Sequence, residues 1–279
     1  MSLELRLSAD AIDTYMAWLP TSFQGFLRAP LQRIPMWTGL AWIETVQSYR
    51  RTLLGPFWIT LSLGITVAAM TLVYGALFAV PSKDYAGYVA CGMIGWVWCG
   101  ALLTDVGNTF VNYSSFIRGT RIDKSLFIWS TCAKLVIVFC HQMIVWALLV
   151  LLGVVELNFF SLLLAPAVVV LFLFSIPVTA ITSILFTRYR DLPRLISSSI
   201  VVLMMVTPIF WQAGMIKGWR SAVYYFNPVY YVIEFIRAPL LGRPEAPMIV
   251  AVMLGMLLAV WIFGVYFFRR YEKYVVFWL

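Results

Sequence analysis

Long apolar runs alternate with short polar segments along this chain. A helix needs about 20 apolar residues to cross the hydrocarbon core of a bilayer. Six runs reach or approach that length, at residues 55–80, 88–110, 134–155, 159–186, 196–211 and 248–268. The pattern predicts an all-α integral membrane protein with six transmembrane helices. We expect a cytosolic tail over residues 1–54 and a transmembrane domain over residues 55–279.

The tail ends in a segment with helical periodicity that starts at Pro35. Apolar residues recur on one face and polar residues on another, as Trp42, Val46, Tyr49 and Leu53 against Glu44, Gln47, Ser48 and Arg51. This periodicity predicts an amphipathic interfacial helix that lies on the membrane, with Arg50 and Arg51 on its last turn. Gly55-Pro56 then predicts a bend, because proline cannot continue a helix but is well suited to begin one.

The fifth apolar run departs from a regular spanning pattern. At 1.5 Å per residue it would cover about 24 Å, short of the roughly 30 Å hydrocarbon core. It also contains Pro208, in the sequence TPIFW. Broken backbone at membrane depth is tolerated where protein or a water-filled cavity satisfies it. We therefore interpret residues 212–247 as re-entrant extracytoplasmic helices that form an outer gate.

One short helix within this gate segment has clear start and stop signals. Asn227-Pro228 predicts the start, with asparagine as the cap and proline at the first helical position. Ala238-Pro239 predicts the end. Glu234 and Arg237 lie three residues apart on this helix, and we expect them to pair.

Composition and charge agree with a membrane protein whose two ends face the cytosol. Hydrophobic residues make up 62% of the 279 residues, charged residues only 11%, and the net charge is +8. Of the 20 Lys and Arg residues, 14 fall in the tail, the even-numbered loops and the C-terminal end, and five fall in the loops on the other side. Lys134 lies within a span. This bias predicts cytosolic termini and makes nucleic-acid binding an unlikely use of the positive charge.

Two cytosolic segments carry candidate contacts for another protein. Arg50 and Arg51 precede the first span, and the segment after the second span mixes basic and apolar residues, including Phe116, Arg118 and Arg121. The mixture suggests a short helix that docks on a partner. Simple membrane anchors at Arg50 and Arg51, and a solvated basic loop after the second span, are the alternatives.

The sequence offers no candidate catalytic or metal site. The four cysteines and the lone His141 have no metal-ligand spacing, and no phosphate-binding Gly-rich motif is present. A structural role for His141, bonded within its helix or facing a pore, is favoured over a proton relay. Small residues at every fourth position of the second span predict a close helix contact, within or between subunits, along Gly87, Cys91, Gly95 and Cys99.

Four segments together resemble one family. YRRTLLGPFW (49–58), TRYRDLPRL (187–195), TPIFW (207–211) and NPVYYVIEFIRAPLLG (227–242), in this order, look like the membrane subunit of type-two ABC exporters for cell-surface polysaccharides, in particular the O-antigen class. The resemblance covers roughly residues 36–270.

The resemblance implies a function and a set of partners. It implies a homodimeric permease in the bacterial inner membrane that joins two copies of a cytosolic ATPase. It also implies a polyprenyl-diphosphate-linked glycan as cargo, and no cofactor in this chain, since the ATPase would bind ATP and Mg. The expected ATPase contacts are Glu44, Tyr49, Arg50, Arg51, Phe116, Arg118 and Arg121.

Aromatic side chains are the candidates for the substrate path or gate, because a neutral sugar chain needs flat apolar faces with few fixed charges. With the short gate helix, the candidates are Trp96, Trp98, Phe210, Trp211, Asn227, Pro228, Tyr230, Tyr231, Glu234 and Arg237. An aromatic belt at the lipid interface is the alternative for these rings.

The alternative functions for the chain are capsule or teichoic-acid export, small-molecule export and, last, a membrane-embedded transferase.

Overall fold

The structure, a computed structural model, describes residues 21–279, with side chains from Phe26 onward. This range is helical, without a strand. Its α-helices are α1 (Thr21–Gln32), α2 (Ile34–Ser48), α3 (Phe57–Leu77), α4 (Ser82–Thr104), α5 (Thr109–Asn112), α6 (Ser114–Gly119), α7 (Ser125–Leu151), α8 (Leu164–Arg188), α9 (Leu192–Val206), α10 (Ala222–Tyr225), α11 (Pro228–Leu240), α12 (Pro247–Tyr271) and α13 (Val275–Trp278).

Within this range, five helices are long and apolar enough to cross a membrane, namely α3, α4, α7, α8 and α12. They confirm an all-helical, multi-pass membrane protein. Four of the helices begin with proline in their first turn, because proline lacks the N–H that has no partner there. These prolines are Pro35 in α2, Pro193 in α9, Pro228 in α11 and Pro247 in α12.

Helix α4 is the centre of the bundle. It packs against α3, α7, α9 and α11, and most of its residues are buried. The other long helices bury only one stripe each and leave apolar side chains such as Leu72, Leu148 and Val169 exposed. That distribution suits helices that surround α4 and face lipid.

The two ends of the described chain lie at the same end of the bundle. Phe26 in α1 packs edge-on against Phe268 in α12, with ring centroids 4.9 Å apart. Beyond α12, α13 packs on α8, and the Arg190 guanidinium donates to the Trp278 and Leu279 carbonyls, at 3.1 Å each. We call this end the α2 end, because α2 packs against the first half of α7 here, and the opposite end the far end.

Two helix boundaries differ from the sequence prediction at the α2 end. Helix α7 begins at Ser125 and not at residue 134, so Lys134 lies nine residues inside a helix and not near its end. Helix α2 ends at Ser48, so Arg50 and Arg51 follow it and are not on its last turn. The reason is the left-handed backbone of Arg51 (φ 67°) and of Gly55 (φ 57°), which reverses the chain before α3.

Helix α2 also has a face that the amphipathic pattern did not reveal. Ala41 and Thr45 are fully buried against the bundle, whereas Trp42 is 56% exposed. Trp42 and Val46 of the predicted apolar face therefore point away from the protein. This is the arrangement expected of a helix that contacts protein on one side and lipid on another.

The short helix α9 and the segment after it follow the whole length of α4. Near the α2 end, a Cβ at Gly100 would lie 3.8 Å from Ile200. Near the far end, the Tyr85 hydroxyl donates to the Phe210 carbonyl at 2.7 Å. Helix α9 is antiparallel to α4, and the irregular residues 207–211 continue its path.

We expect Gly264→Ala to weaken the contact between α8 and α12. A Cβ at position 264 would lie 2.6 Å from the Pro177 Cβ, so the helices must separate at a cost of about 1–3 kcal/mol. The thermal unfolding midpoint of the purified protein should fall. Gly255→Ala in the same helix is the matched control, because nothing lies within 4 Å of its added Cβ and alanine favours a helix. Equal midpoints for the two variants would contradict this packing.

Candidate functional site

The start of α11 is fixed by the predicted cap. The Asn227 side chain accepts a hydrogen bond from the Val229 backbone N–H at 3.0 Å and donates to the Thr207 hydroxyl at 2.8 Å. One side chain therefore caps α11 and ties it to the end of α9. The start signal at Asn227-Pro228 is confirmed. The helix continues through Pro239 to Leu240, slightly beyond the predicted end.

Arg237 on α11 is a buried cation at the centre of the site. Only 1% of the side chain is exposed. Its Nη1 forms the predicted ion pair with Glu234 and also donates to the Tyr88 hydroxyl at 2.8 Å, and its Nη2 donates to the Pro208 carbonyl at 2.8 Å. The guanidinium also lies 4.1 Å from the centre of the Tyr88 ring. A buried charge is tolerated when it is paired and hydrogen-bonded, as this one is.

Two tyrosines of α4 complete the support of the irregular segment after α9. The Tyr85 hydroxyl donates to the Phe210 carbonyl at 2.7 Å, and the Tyr88 hydroxyl donates to the Trp211 carbonyl at 3.0 Å. Free carbonyls within a bilayer need donors from protein, because lipid offers none. Tyr85, Tyr88 and Arg237 supply these donors. Sequence reasoning did not identify the tyrosines, although two hydroxyl-bearing rings three residues apart at the start of a span are a usable signal.

Gly92 makes room for the Arg237 side chain. A Cβ at position 92 would lie 2.3 Å from the Arg237 Nη2. Three residues further along α4, a Cβ at Gly95 would lie 3.3 Å from the Ile233 Cα and 3.1 Å from the Ile236 Cγ2. Of the predicted small-residue stripe, Gly95 thus packs against α11, whereas a Cβ at Gly87 would lie 3.4 Å from the Val155 Cγ2. Both contacts are within the subunit.

The aromatic path candidates separate into a core group and a far-end group. Trp96, Trp98 and Tyr231 are buried within the subunit, and the Trp98 indole donates to the Ser175 hydroxyl at 3.0 Å. Phe210, Trp211 and Tyr230 are partly exposed. This second group lies around Tyr224, whose ring centroid is 6.1 Å from that of Trp211 and 5.2 Å from that of Tyr230.

The residues predicted to contact an ATPase come together at the α2 end. Arg50, Arg51, Phe116, Arg118 and Arg121 are exposed there, and α6 provides the short helix that carries Phe116 and Arg118. Ile117 is buried and fixes α6 to the bundle.

The other two residues of this set face cavities between α2 and the bundle. Glu44 lines a small cavity with Tyr113, and Tyr49 lines a larger one with Asp105. Partial burial raises the pKa of the Tyr49 phenol above its ordinary value, so Tyr49 keeps its proton and remains a donor at neutral pH.

The fold is that of a multi-pass membrane protein with an exposed basic surface at the α2 end and an aromatic group at the far end. The ABC-2 type transporter family matches residues 37–241, more than half of the chain, and the chain belongs to this family. It is therefore the permease of an ABC transporter and not a nucleotide-binding domain, and such permeases work with an ATPase partner. The match runs from α2 to the end of α11 and so contains both ends of the site. No curated protein matches the chain.

We expect Tyr88→Phe to loosen the segment after α9. The substitution keeps the ring over Arg237 but removes the hydroxyl that donates to the Trp211 carbonyl, which should cost about 1–3 kcal/mol. The thermal midpoint should fall, and protease cleavage within residues 207–226 should become faster.

Tyr74→Phe is the matched control for this substitution. The Tyr74 ring stacks on Phe210, and its hydroxyl makes no hydrogen bond within the described part of the chain. The control should behave like the unmodified protein. Identical cleavage in the two variants would show that the Tyr88 hydroxyl does not hold the segment.

Proposed function

We propose that this chain is the permease subunit of an ATP-driven exporter that moves a lipid-linked, O-antigen-like polysaccharide across the bacterial inner membrane. The observation that carries the proposal is the far-end group of aromatic side chains, which lies beside Arg237, a cation that is already paired with Glu234. Phe210, Trp211 and Tyr230 offer flat faces to sugar rings. Arg237, paired with Glu234 and buried, presents no free charge that would retain a neutral glycan.

The path of the chain supports six crossings with both termini in the cytosol. Five crossings would leave Phe26 and Phe268 at opposite ends of the bundle, yet their rings are in contact. The sixth crossing is made by α9 and residues 207–211, which together follow α4 from one end to the other. The excess of Lys and Arg at the α2 end assigns this end to the cytosol.

Helix α11 supports a re-entrant gate. Its residues Ile233 and Arg237 pack beside Gly95 and Gly92, near the middle of α4. At its C-terminal end, the Gly242 carbonyl accepts from the Asn158 side chain in the far-end loop between α7 and α8. The helix thus begins within the bundle and ends at the far surface. Residues 212–247 would enter from the outer face and return to it.

Helix α9 is our proposed contact with a second copy of the chain. None of its residues is buried within the subunit, although it carries three consecutive serines at 197–199. A helix too short to cross the bilayer alone, with hydroxyls at its middle, is better suited to face protein or a conduit than lipid. A homodimer that joins two α9 helices would place the conduit between the subunits.

The α2 end is our proposed contact with two copies of a cytosolic ATPase, which would bind ATP and Mg. Arg50 and Arg51 follow α2, which packs directly on α7. A displacement of these two residues by the ATPase would therefore be transmitted through α2 to the bundle. The neighbouring Phe116 is 53% exposed and has an apolar face to offer a partner. Arg118 and Arg121 flank it with positive charge.

The substrate class is tested by reconstituting the permease and its ATPase in lipid nanodiscs. We expect ATP hydrolysis to rise severalfold with a polyprenyl-diphosphate-linked glycan and to remain at its basal rate with amphiphilic drugs. A teichoic-acid precursor and a capsule precursor, added separately, distinguish the related exporters. Stimulation by amphiphiles alone would assign the chain to small-molecule export. Modification of the glycan without ATP would assign it to the transferases.

We expect Arg51→Glu to uncouple the permease from its ATPase. Reversal of one contact charge at an interface should lower glycan-stimulated ATP hydrolysis by about tenfold, while the amount of permease in the membrane stays unchanged. Arg220→Glu is the control, because this exposed arginine lies in the far-end segment. Full stimulation of the Arg51 variant would remove Arg51 from the interface.

A further inference from the structure

The larger of the two cavities between α2 and the bundle, which Tyr49 and Asp105 line, is separate from the proposed gate. Its volume is about 400 Å³, which is within the usual range for small-molecule sites. The walls come from α3, α4 and α7, and the end of α2 covers it. Eight of the lining residues are polar, namely Thr45, Ser48, Tyr49, Ser62, Thr66, Asp105, Lys134 and Gln142.

The cavity is long and changes in character along its length. Its α4 wall is a single stripe from Met93 through Val97 and Ala101 to Asp105. At 1.5 Å per residue this stripe spans about 18 Å. Both charged residues, Asp105 and Lys134, lie toward the α2 end, and the deeper part is uncharged, with apolar residues such as Leu63 and Met93 beside hydroxyl and amide groups. This division matches a molecule with a polar head and an apolar chain.

Lys134 is the cation of this cavity. It lies well inside α7 and is only half-buried, and within the described part of the chain it forms no ion pair or hydrogen bond. A lysine within a membrane-spanning helix is costly unless a partner is present. Asp105 lines the same cavity, and Glu44 lines an adjoining one of about 110 Å³ that also contains Asp105 and Lys134.

Gln142 is the second independent sign of a ligand. It lies two helical turns beyond Lys134 on the same face of α7, and only 2% of the residue is exposed. Its side-chain amide has no hydrogen-bond partner among the described residues. The residue lines the cavity, so its amide donor and acceptor atoms are available to a ligand that reaches them.

We infer that this cavity binds the head group and the upper part of one acyl chain of a phospholipid with an ethanolamine head group, while the rest of the lipid lies in the bilayer. The lipid phosphate contacts Lys134, and the ammonium group lies between the Asp105 and Glu44 carboxylates. The ester carbonyls, which lie deeper than the phosphate, accept from the Gln142 amide. An acyl chain follows the apolar stripe of α4.

The charges distinguish this ligand from the proposed cargo and from anionic lipids. One lysine beside two carboxylates cannot favour a diphosphate or an anionic head group, because like charges repel strongly in a partly buried site. A zwitterion satisfies both signs. The inference rests on the cavity and holds whether or not the exported molecule is a glycan.

The first test identifies the lipid that the full chain retains. The protein is purified in mild detergent, washed extensively, and its lipids are quantified by mass spectrometry. We expect phosphatidylethanolamine to be enriched, and Lys134→Gln to retain about tenfold less, since a charge-assisted hydrogen bond is lost. Gln142→Leu should also retain less. Lys83→Gln is the matched control, because Lys83 is exposed at the far end and outside the cavity.

The second test needs no variant and therefore does not depend on the folding of one. The thermal midpoint of the unmodified protein is measured in micelles that contain phosphatidylethanolamine, phosphatidylglycerol or phosphatidylcholine. Phosphatidylethanolamine should raise the midpoint most. An equal or larger rise with phosphatidylglycerol would overturn the inference, as would preferential retention of a diphosphate lipid or unchanged retention by Lys134→Gln.

Discussion

The far end of this permease depends on a single buried guanidinium. Arg237 binds Glu234 on its own helix, the Tyr88 hydroxyl on α4, and the Pro208 carbonyl after α9. An unpaired arginine at this depth would be strongly unfavourable. The three contacts must therefore form together, and they fix α4, α9 and α11 relative to one another. Such a cluster favours one arrangement of these three helices, and any change in that arrangement must replace several bonds at once.

Helix α4 can act as this common support because its surface is specialised along its length. Gly92 and Gly95 let α11 approach closely, and Tyr85 and Tyr88 supply donors to a backbone that has left regular helix. Near its other end, Gly100 lets α9 pack, and Asp105 opens onto the α2-end cavity. One central helix thus contacts both the aromatic far end and the cavity at the α2 end.

The spans and the cap of α11 could be predicted from sequence because they rest on local patterns, namely apolar length and the Asn227-Pro228 pair. The ion pair of Glu234 and Arg237 is also local. The partners of Arg237 on α4 and after α9 could not be predicted, since residues 88 and 237 are brought together only by the fold. The end of α2 was misplaced because the left-handed Arg51 has no sequence signal comparable to glycine.

Arg237 and Lys134 show how charge within a membrane protein can be used in two ways. The Arg237 Nη atoms donate to Glu234, Tyr88 and Pro208, so its charge is paired within the protein and stabilises structure. Lys134 lacks such partners within the described chain and faces a cavity with an unsatisfied amide. A cation that is paired within the protein suits a path from which cargo must be released. A cation without an ion-pair partner suits a site that holds its ligand. The difference in pairing, more than the presence of charge, separates the conduit from a binding site.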